Sequence, residues 1–285
     1  MHIAQTLSGA TRVIGIIGDP IAQVKSPSGV TQALIDRGVN AVVIPLHVAA
    51  DDLAAVITTA QRVRNVDGFI ITVPHKLATY ALCATATERA RFLEGVNVLR
   101  RNPDGSWHGD HADGLGFVEA QRRAGCEPEG RRVLLAGAGG AGSAIAQAVL
   151  EAGAAQLAIH DGDAVRRDAL IARLATVFGP CVQAGSADPR GFDIVFNATP
   201  AGMRPDDGLP VDISGLHGGM FVGDVITMPA VTPLLEAARA LGCRTQVGAG
   251  MFAAVCERMV DFLLEAGPLA EAAAAGVAAA GVARA

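Results

Sequence analysis

No stretch of this chain is apolar for long enough to cross a membrane as a helix, and its first residues lack the apolar core of a signal peptide. A cytoplasmic protein with no membrane partner is expected. Lysine and arginine form no block, and the net charge is −5, which argues against nucleic acid as a partner. Cysteine is sparse. The five residues (Cys83, Cys126, Cys181, Cys243 and Cys256) are scattered and odd in number, with no C-x-x-C spacing. That excludes a disulfide framework or a zinc knuckle as the organising element, and the cysteines read as small buried hydrophobes. The seven histidines show no metal-ligand spacing either, so no metal is expected.

What the chain does have is a mixture of apolar runs and glycine. Its 285 residues, 51% hydrophobic with 34 glycines, suffice for two compact domains with tight turns. The most informative segment is Val133-Leu134-Leu135-Ala136 followed by Gly137-Ala138-Gly139-Gly140-Ala141-Gly142 and an Ala-rich stretch of helical composition. A second apolar strand, Gln156–His160, then ends at Asp161. Strand, Gly-x-Gly-x-x-Gly, helix, strand and acid in this order form the dinucleotide-binding fingerprint. The first glycine permits the turn, the second lets backbone approach a pyrophosphate, and the third lets the helix pack on the strand. The helix N-terminus offers N–H groups and a positive dipole end to the phosphates. A carboxylate at Asp161 accepts from the adenosine ribose hydroxyls of NAD and repels the extra phosphate of NADP. Arg166 and Arg167 begin a helix one turn later, but Asp161 and Asp163 stand nearer. NAD is therefore the expected cofactor, with NADP second.

Strand and helix also alternate before the fingerprint. Strands are expected over 13–18, 41–48 and 68–73, the second at a sheet edge because it contains Pro45. Ser26-Pro27 reads as an N-cap and first helical residue, and 51–64 as an amphipathic helix. Strands at 96–101 and 106–109 flank the turn Asn102-Pro103-Asp104-Gly105. The polar segment 110–116 reads as a junction before a helix at 117–124. Beyond Asp161 come a helix at 164–177, strands near 192–197, 220–226 and 243–247, a helix at 232–241, and an apolar helical tail from Met251. Its Ala-rich end, 270–285, has the composition of a fraying terminus. Alternation of this kind argues for parallel sheets. The expected architecture is α/β with two domains. Residues 1–112, joined by a C-terminal helix at 248–285, form the first domain. Residues 113–247 form a Rossmann dinucleotide-binding domain, with a cleft between the two.

Several separated motifs coincide with one family. They are Gly18-Asp19-Pro20-Ile21 with Lys25-Ser26-Pro27, Thr72-Val73-Pro74-His75-Lys76, Gly95-Val96-Asn97, and Gly109-Asp110-His111-Ala112-Asp113-Gly114. Asn197-Ala198-Thr199-Pro200-Ala201-Gly202-Met203, Asp224 with Thr232-Pro233-Leu234-Leu235, and Gly248-Ala249-Gly250-Met251 follow. In this order, over nearly the full length, the chain resembles the shikimate/quinate dehydrogenase family. The resemblance implies hydride transfer between a secondary alcohol and the nicotinamide, in the setting of aromatic amino acid biosynthesis, by a monomer or homodimer. It marks the first domain, 1–112 with the C-terminal helix, as substrate-binding and catalytic. It assigns Lys76 and Asp113 to catalysis, and Ser26, Thr72 and Asn97 to a small cyclic hydroxy substrate. Asn197, Thr199, Met203 and Gly248 fall to the cofactor side. Hydride loss from an alcohol needs a group that takes the hydroxyl proton, and an amine held beside the carbinol suits that task.

The departures from the family pattern are as informative. Val24 stands where the first of two carboxylate-binding serines is usual, and Gln23 replaces a histidine. Ile70 and Ala112 replace an asparagine and a threonine. Thr227 occupies a tyrosine position, and Val255 a glutamine position. Each lost hydrogen bond to a charged group costs about 1.5–3 kcal/mol. The expected substrate is therefore a less polar ring alcohol that need not be shikimate. The alternatives are an ordinary shikimate or quinate dehydrogenase, or a non-catalytic NAD-binding regulator. Retention of Lys76, Asn97 and Asp113 together disfavours the last.

Overall fold

The computed structural model describes residues 7–282. The chain divides into two compact units, and the first takes the residues up to Ala112 together with those from Cys256 onward. Its six strands are β1 (Arg12–Gly18), β2 (Ala41–His47), β3 (Val66–Ile71), β4 (Thr85–Ala86), β5 (Val98–Arg101) and β6 (Trp107–Asp110), in the order β2-β1-β3-β5-β6-β4. β1 runs parallel to both β2 and β3, and its Ile14, Ile16 and Ile17 are buried with Phe69, Ile70 and Ile71 of β3. Pro45 cannot donate to a ladder, and β2 lies at the edge as that requires. Beyond β3 the sheet is mixed rather than all parallel. β5 runs antiparallel to β3 and forms a hairpin with β6. The turn at Asn102–Gly105, with Gly105 at φ +88°, is too short for a crossover, so its strands must run opposite.

The helices of this unit are α1 (Ser26–Asp36), α2 (Leu53–Ala60), α3 (Lys76–Tyr80) and α4 (Glu88–Leu93). α1 is capped by Lys25 rather than Ser26. Lys25 already has helical-region backbone, so Ser26 falls inside the first turn, and no side chain caps the helix. α2 stops at Ala60, well before Arg64. Beyond it the buried guanidinium of Arg101 donates to the carbonyls of Ala60, Gln61, Val63 and Val66 at 2.8–3.0 Å. The Ala60 carbonyl also accepts the Val63 N–H at 3.0 Å, so the chain leaves α2 through a tighter turn.

The second unit is the continuous segment Asp113–Val255. It holds α5 (Asp113–Arg123), β7 (Arg132–Ala136), α6 (Gly140–Glu151), β8 (Gln156–His160), α7 (Ala164–Phe178) and β9 (Val182–Ala184). β10 (Ile194–Asn197), β11 (Phe221–Asp224), α8 (Pro233–Ala240) and β12 (Arg244–Gln246) follow. All its strand pairs are parallel, in the order β12-β11-β10-β7-β8-β9. The order reverses between β7 and β10, the switch point at which such sheets bind ligands beyond their carboxyl ends. α5 begins at Asp113, not at 117. Its glycines are packing positions: a Cβ on Gly114 would lie 2.2 Å from the Ala144 carbonyl oxygen, and one on Gly116 2.4 Å from a Val255 methyl.

α9 (Gly248–Leu264) starts in the second unit and passes into the first at Cys256, so the return lies within this helix rather than before it. α10 (Pro268–Val282) follows. In the first unit, Leu263 occupies the space a Cβ on Gly68 would need, and Arg100 donates to the Phe262 carbonyl at 2.8 Å. The helical assignment reaches Val282; 283–285, the end of the segment expected to fray, lie outside the described residues. Among the described residues no helix is long and apolar enough to cross a membrane, and no group of three His, Cys, Asp or Glu is placed to hold a metal.

Candidate active site

In the second unit the loop from β7 to α6 has the three distinct glycine geometries that a dinucleotide cradle needs. Gly137 turns at φ +107°, and a Cβ there would lie 2.8 Å from the Ala198 carbonyl carbon. Gly142 is pressed to its own loop, where a Cβ would sit 2.1 Å from the Gly137 carbonyl oxygen. Gly139, the cap of α6, and Gly140 beside it face open space: a Cβ on either meets no protein atom within 4 Å. The first N–H groups of α6 have no partner within the helix, and a helix N-terminus opening on free space is a type of site that accepts phosphate. Ala138 and Ala141 complete the loop.

Asp161 is bonded into this cradle. Its Oδ2 accepts the Ala138 N–H at 2.6 Å; its Oδ1 accepts the Asp163 N–H at 2.8 Å and an Arg166 N–H at 2.6 Å. Burial pushes the carboxyl up, but the Arg166 bond and the two backbone bonds outweigh it and hold Asp161 below the usual carboxylate range. Asp163 caps α7 through the Arg166 N–H at 3.1 Å. The Arg166 side chain is thus paired with Asp161.

The β10 loop is held from below. Asn197 is fully buried, and its Oδ1 accepts from the Thr199 N–H at 3.0 Å and the Thr199 hydroxyl at 2.7 Å. Its amide nitrogen donates to the Ala201 carbonyl and to Asp224 Oδ1 at 3.3 and 3.2 Å. Asp224 Oδ2 in turn accepts the Thr232 hydroxyl at 2.8 Å. Burial raises the Asp224 carboxyl above its ordinary value, despite these donors and the Ile226 N–H. Asn197 and Thr199 therefore shape the loop from its interior. Met203 is exposed, and it lines a groove of about 640 Å³ together with Asp161, Gly162, Thr199 and Arg204. Gly248 is buried against backbone, with a Cβ there 2.3 Å from the Ile226 carbonyl oxygen.

In the first unit the motif residues gather at the carboxyl ends of β1 and β3. The Thr72 N–H donates to Ile17 at 2.9 Å, and Gly18 leaves the room that the Thr72 methyl fills. Lys76 opens the five-residue α3, and its carbonyl accepts the Val96 N–H at 3.1 Å. The next residue, Asn97, is buried, and its Oδ1 accepts the Ala112 N–H at 2.8 Å. That bond orients the carboxamide and ties it to the segment that ends the unit. Backbone bonds thus join the lysine and asparagine motifs, far apart in sequence. His75, noted only as part of a motif, is 1% exposed, with Nε2 at 2.8 Å from the Val48 carbonyl.

Val24 and Ser26 are both half-buried at the start of α1. In the second unit, Asp113 is the half-buried first residue of α5 and Thr227 is half-buried just after β11. Val255 is 8% exposed and packs on Gly116, so an apolar contact within the unit occupies the position where the resemblance implies a glutamine.

Comparison with known proteins finds relatives along most of the chain. Residues 16–99 match the model of the shikimate dehydrogenase substrate binding domain. The shikimate dehydrogenase (NADP(+)) of Rubrobacter xylanophilus is 38% identical over 241 residues, 83% of this chain and 84% of that protein. That of Geobacter metallireducens is 34% identical over 257 residues, covering 87% and 89%. Among solved structures, the 5-ketofructose reductase of a Gluconobacter strain superposes with a TM-score of 0.84 at 30% identity, over 94% of this chain and 99% of that one. The quinate dehydrogenase of Corynebacterium glutamicum, in complex with NAD, gives 0.82 at 27% identity over 94% and 99%. With relatives this similar along both chains, a two-unit α/β fold and a glycine cradle in the second unit, the chain belongs to the shikimate/quinate dehydrogenase family of oxidoreductases.

Proposed function

We propose that this protein is an NAD-dependent oxidoreductase acting on a cyclic secondary alcohol that lacks the carboxylate of shikimate. One observation carries the cofactor half: a carboxylate, Asp161, hydrogen-bonded to the glycine loop where the adenosine ribose of a dinucleotide lies. Gly139 and Gly140 leave room for the pyrophosphate, Gly137 and Gly142 shape the turn with Ala138 and Ala141, and on the nicotinamide side Asn197, Thr199 and Gly248 hold the backbone while Met203 is exposed. When bound, the nicotinamide supplies the hydride acceptor. Lys76 takes the hydroxyl proton, Asn97 fixes a second hydroxyl, and Ser26 and Thr72 contribute neutral hydrogen-bonding groups. Asp113 is assigned to the same proton transfer by family resemblance.

The substrate half rests on what replaces the polar groups. Val24, Thr227 and Val255 leave fewer donors for a carboxylate, and each absent bond to a charged group weakens such a substrate by about 1.5–3 kcal/mol. A relative named for 5-ketofructose, a sugar without a carboxylate, supports the same direction. A second reading is an ordinary shikimate or quinate dehydrogenase, and the names of the curated relatives favour shikimate with NADP. The deciding experiment is a steady-state screen of shikimate, quinate, uncarboxylated cyclic alcohols and 5-ketofructose with both cofactors. Micromolar KM for shikimate would establish the second reading, and a preference for NADP would remove the role given to Asp161.

A further inference from the structure

The Thr72–Lys76 loop has a buried anchor that the proton transfer itself does not use. α3 has only five residues, too few to hold its shape without tertiary contacts. Its start is fixed on one side by the Val96 N–H on the Lys76 carbonyl. On the other side stands His75, whose Nε2 meets the Val48 carbonyl at 2.8 Å while the residue is 1% exposed. The backbone around the ring is engaged as well: the His75 N–H donates to Thr72 and its carbonyl accepts from Thr79, at 3.0 and 2.9 Å. Val48 directly follows β2, and its own N–H reaches the last residue of β1, Gly18, at 3.4 Å. The imidazole thus links the loop after β3 to the ends of β1 and β2. A carbonyl oxygen only accepts, so Nε2 must carry the proton.

We propose that His75 is the positioning residue for Lys76: its Nε2–H bond to Val48 sets where the lysine leaves the sheet. The inference rests on the assignment of Lys76 to proton transfer. A shift of about 1 Å in a reacting group can cost on the order of a hundredfold in rate. A positioning residue should therefore act on turnover and leave the dinucleotide, bound in the other unit, alone.

The test uses the full-length protein with its best alcohol and NAD. His75→Leu should lower kcat about tenfold to a hundredfold with KM for NAD unchanged. His75→Gln, whose amide can reach the same carbonyl, should recover most of the loss. Equal kcat in the Leu and Gln variants, or wild-type kcat in His75→Leu, would overturn the proposal. If the Leu variant does not fold, long-range proton–nitrogen correlation on histidine-labelled wild type decides the geometry. A proton on Nε2 is expected, and a proton on Nδ1 instead rules the bond out. Lys76→Ala inactive beside a fully active His75→Leu sinks only this inference. Full activity in both sinks the assignment of Lys76 as well.

Discussion

Asp161 Oδ2 accepts the Ala138 N–H at 2.6 Å, so the acid at the end of β8 and the glycine loop at the end of β7 are one hydrogen-bonded piece. Asp161→Asn should therefore do two things. It removes the charge to which the proposed NAD preference is assigned, and it weakens a loop contact. Wild type should favour NAD at least roughly tenfold in kcat/KM, and the variant should narrow that ratio while binding NAD less well. Because the folded carboxyl titrates below its usual range, NAD affinity should hold steady as the pH falls from 7 to about 4.5. The sign for stability follows. The bonds of Asp161 contribute above the unfolded carboxylate value and are lost as the pH drops through the lower folded one. Calorimetric titration and a pH series of thermal melts measure both, and NAD binding that failed near pH 6 would contradict them.

Lys76→Ala should reduce kcat by about two to four orders of magnitude, the usual reach of general acid–base catalysis. NAD binding, followed by fluorescence, should change little. A variant turning over its best substrate at nearly the wild-type rate would exclude the amine from the proton transfer.

Gly139 faces open space and Gly142 is crowded by its own loop, and substitution at each should read differently. A methyl at Gly139 meets no protein atom within 4 Å, so Gly139→Ala should melt like wild type yet bind NAD more weakly. A methyl at Gly142 would stand 2.1 Å from the Gly137 carbonyl oxygen, so Gly142→Ala should lose stability by about 1–3 kcal/mol as well as affinity. Paired melts and titrations distinguish the two, and identical behaviour would show that the loop does not divide its glycines in this way.

Val24→Ser with Thr227→Tyr tests the substrate reading. If the missing carboxylate contacts set specificity, the double variant should gain affinity for shikimate or quinate, with each restored bond worth about 1.5–3 kcal/mol less any strain from the larger ring. Kinetics on both acids, before and after substitution, provide the measurement. An unchanged KM means that these two positions do not face the carboxylate.

The sequence carried the middle of the second unit's sheet, because β7, β8, β10 and β11 are largely buried apolar runs and the glycine pattern marks the turn after β7. It hid what depends on contacts made elsewhere. Gly114 and Gly116 look like loop residues beside Asp113, yet they are helical; only the backbone of α6 and the Val255 methyl explain why they lack side chains. The carbonyls just past α2 accept from Arg101, forty residues on, a partner that no local signal marks. β9 is too short, and too polar at Gln183, to stand out. Of the candidate site, the place of Asp161 after its strand was legible from spacing, and Lys76 and Asn97 entered as candidates through the family resemblance. The bonds that aim them, to Ala138, Val96 and Ala112, were not legible, since hydrogen bonds between distant backbones leave no trace in residue type.

The passage of α9 from one unit into the other has a consequence for the order in which the protein can be assembled. A ribosome delivers Asp113–Val255 as one uninterrupted segment, with every strand of its sheet in hand. The earlier-made unit still lacks Phe262 and Leu263, and with them the partner of Arg100 and the cover over Gly68. The part synthesised first is therefore the part completed last.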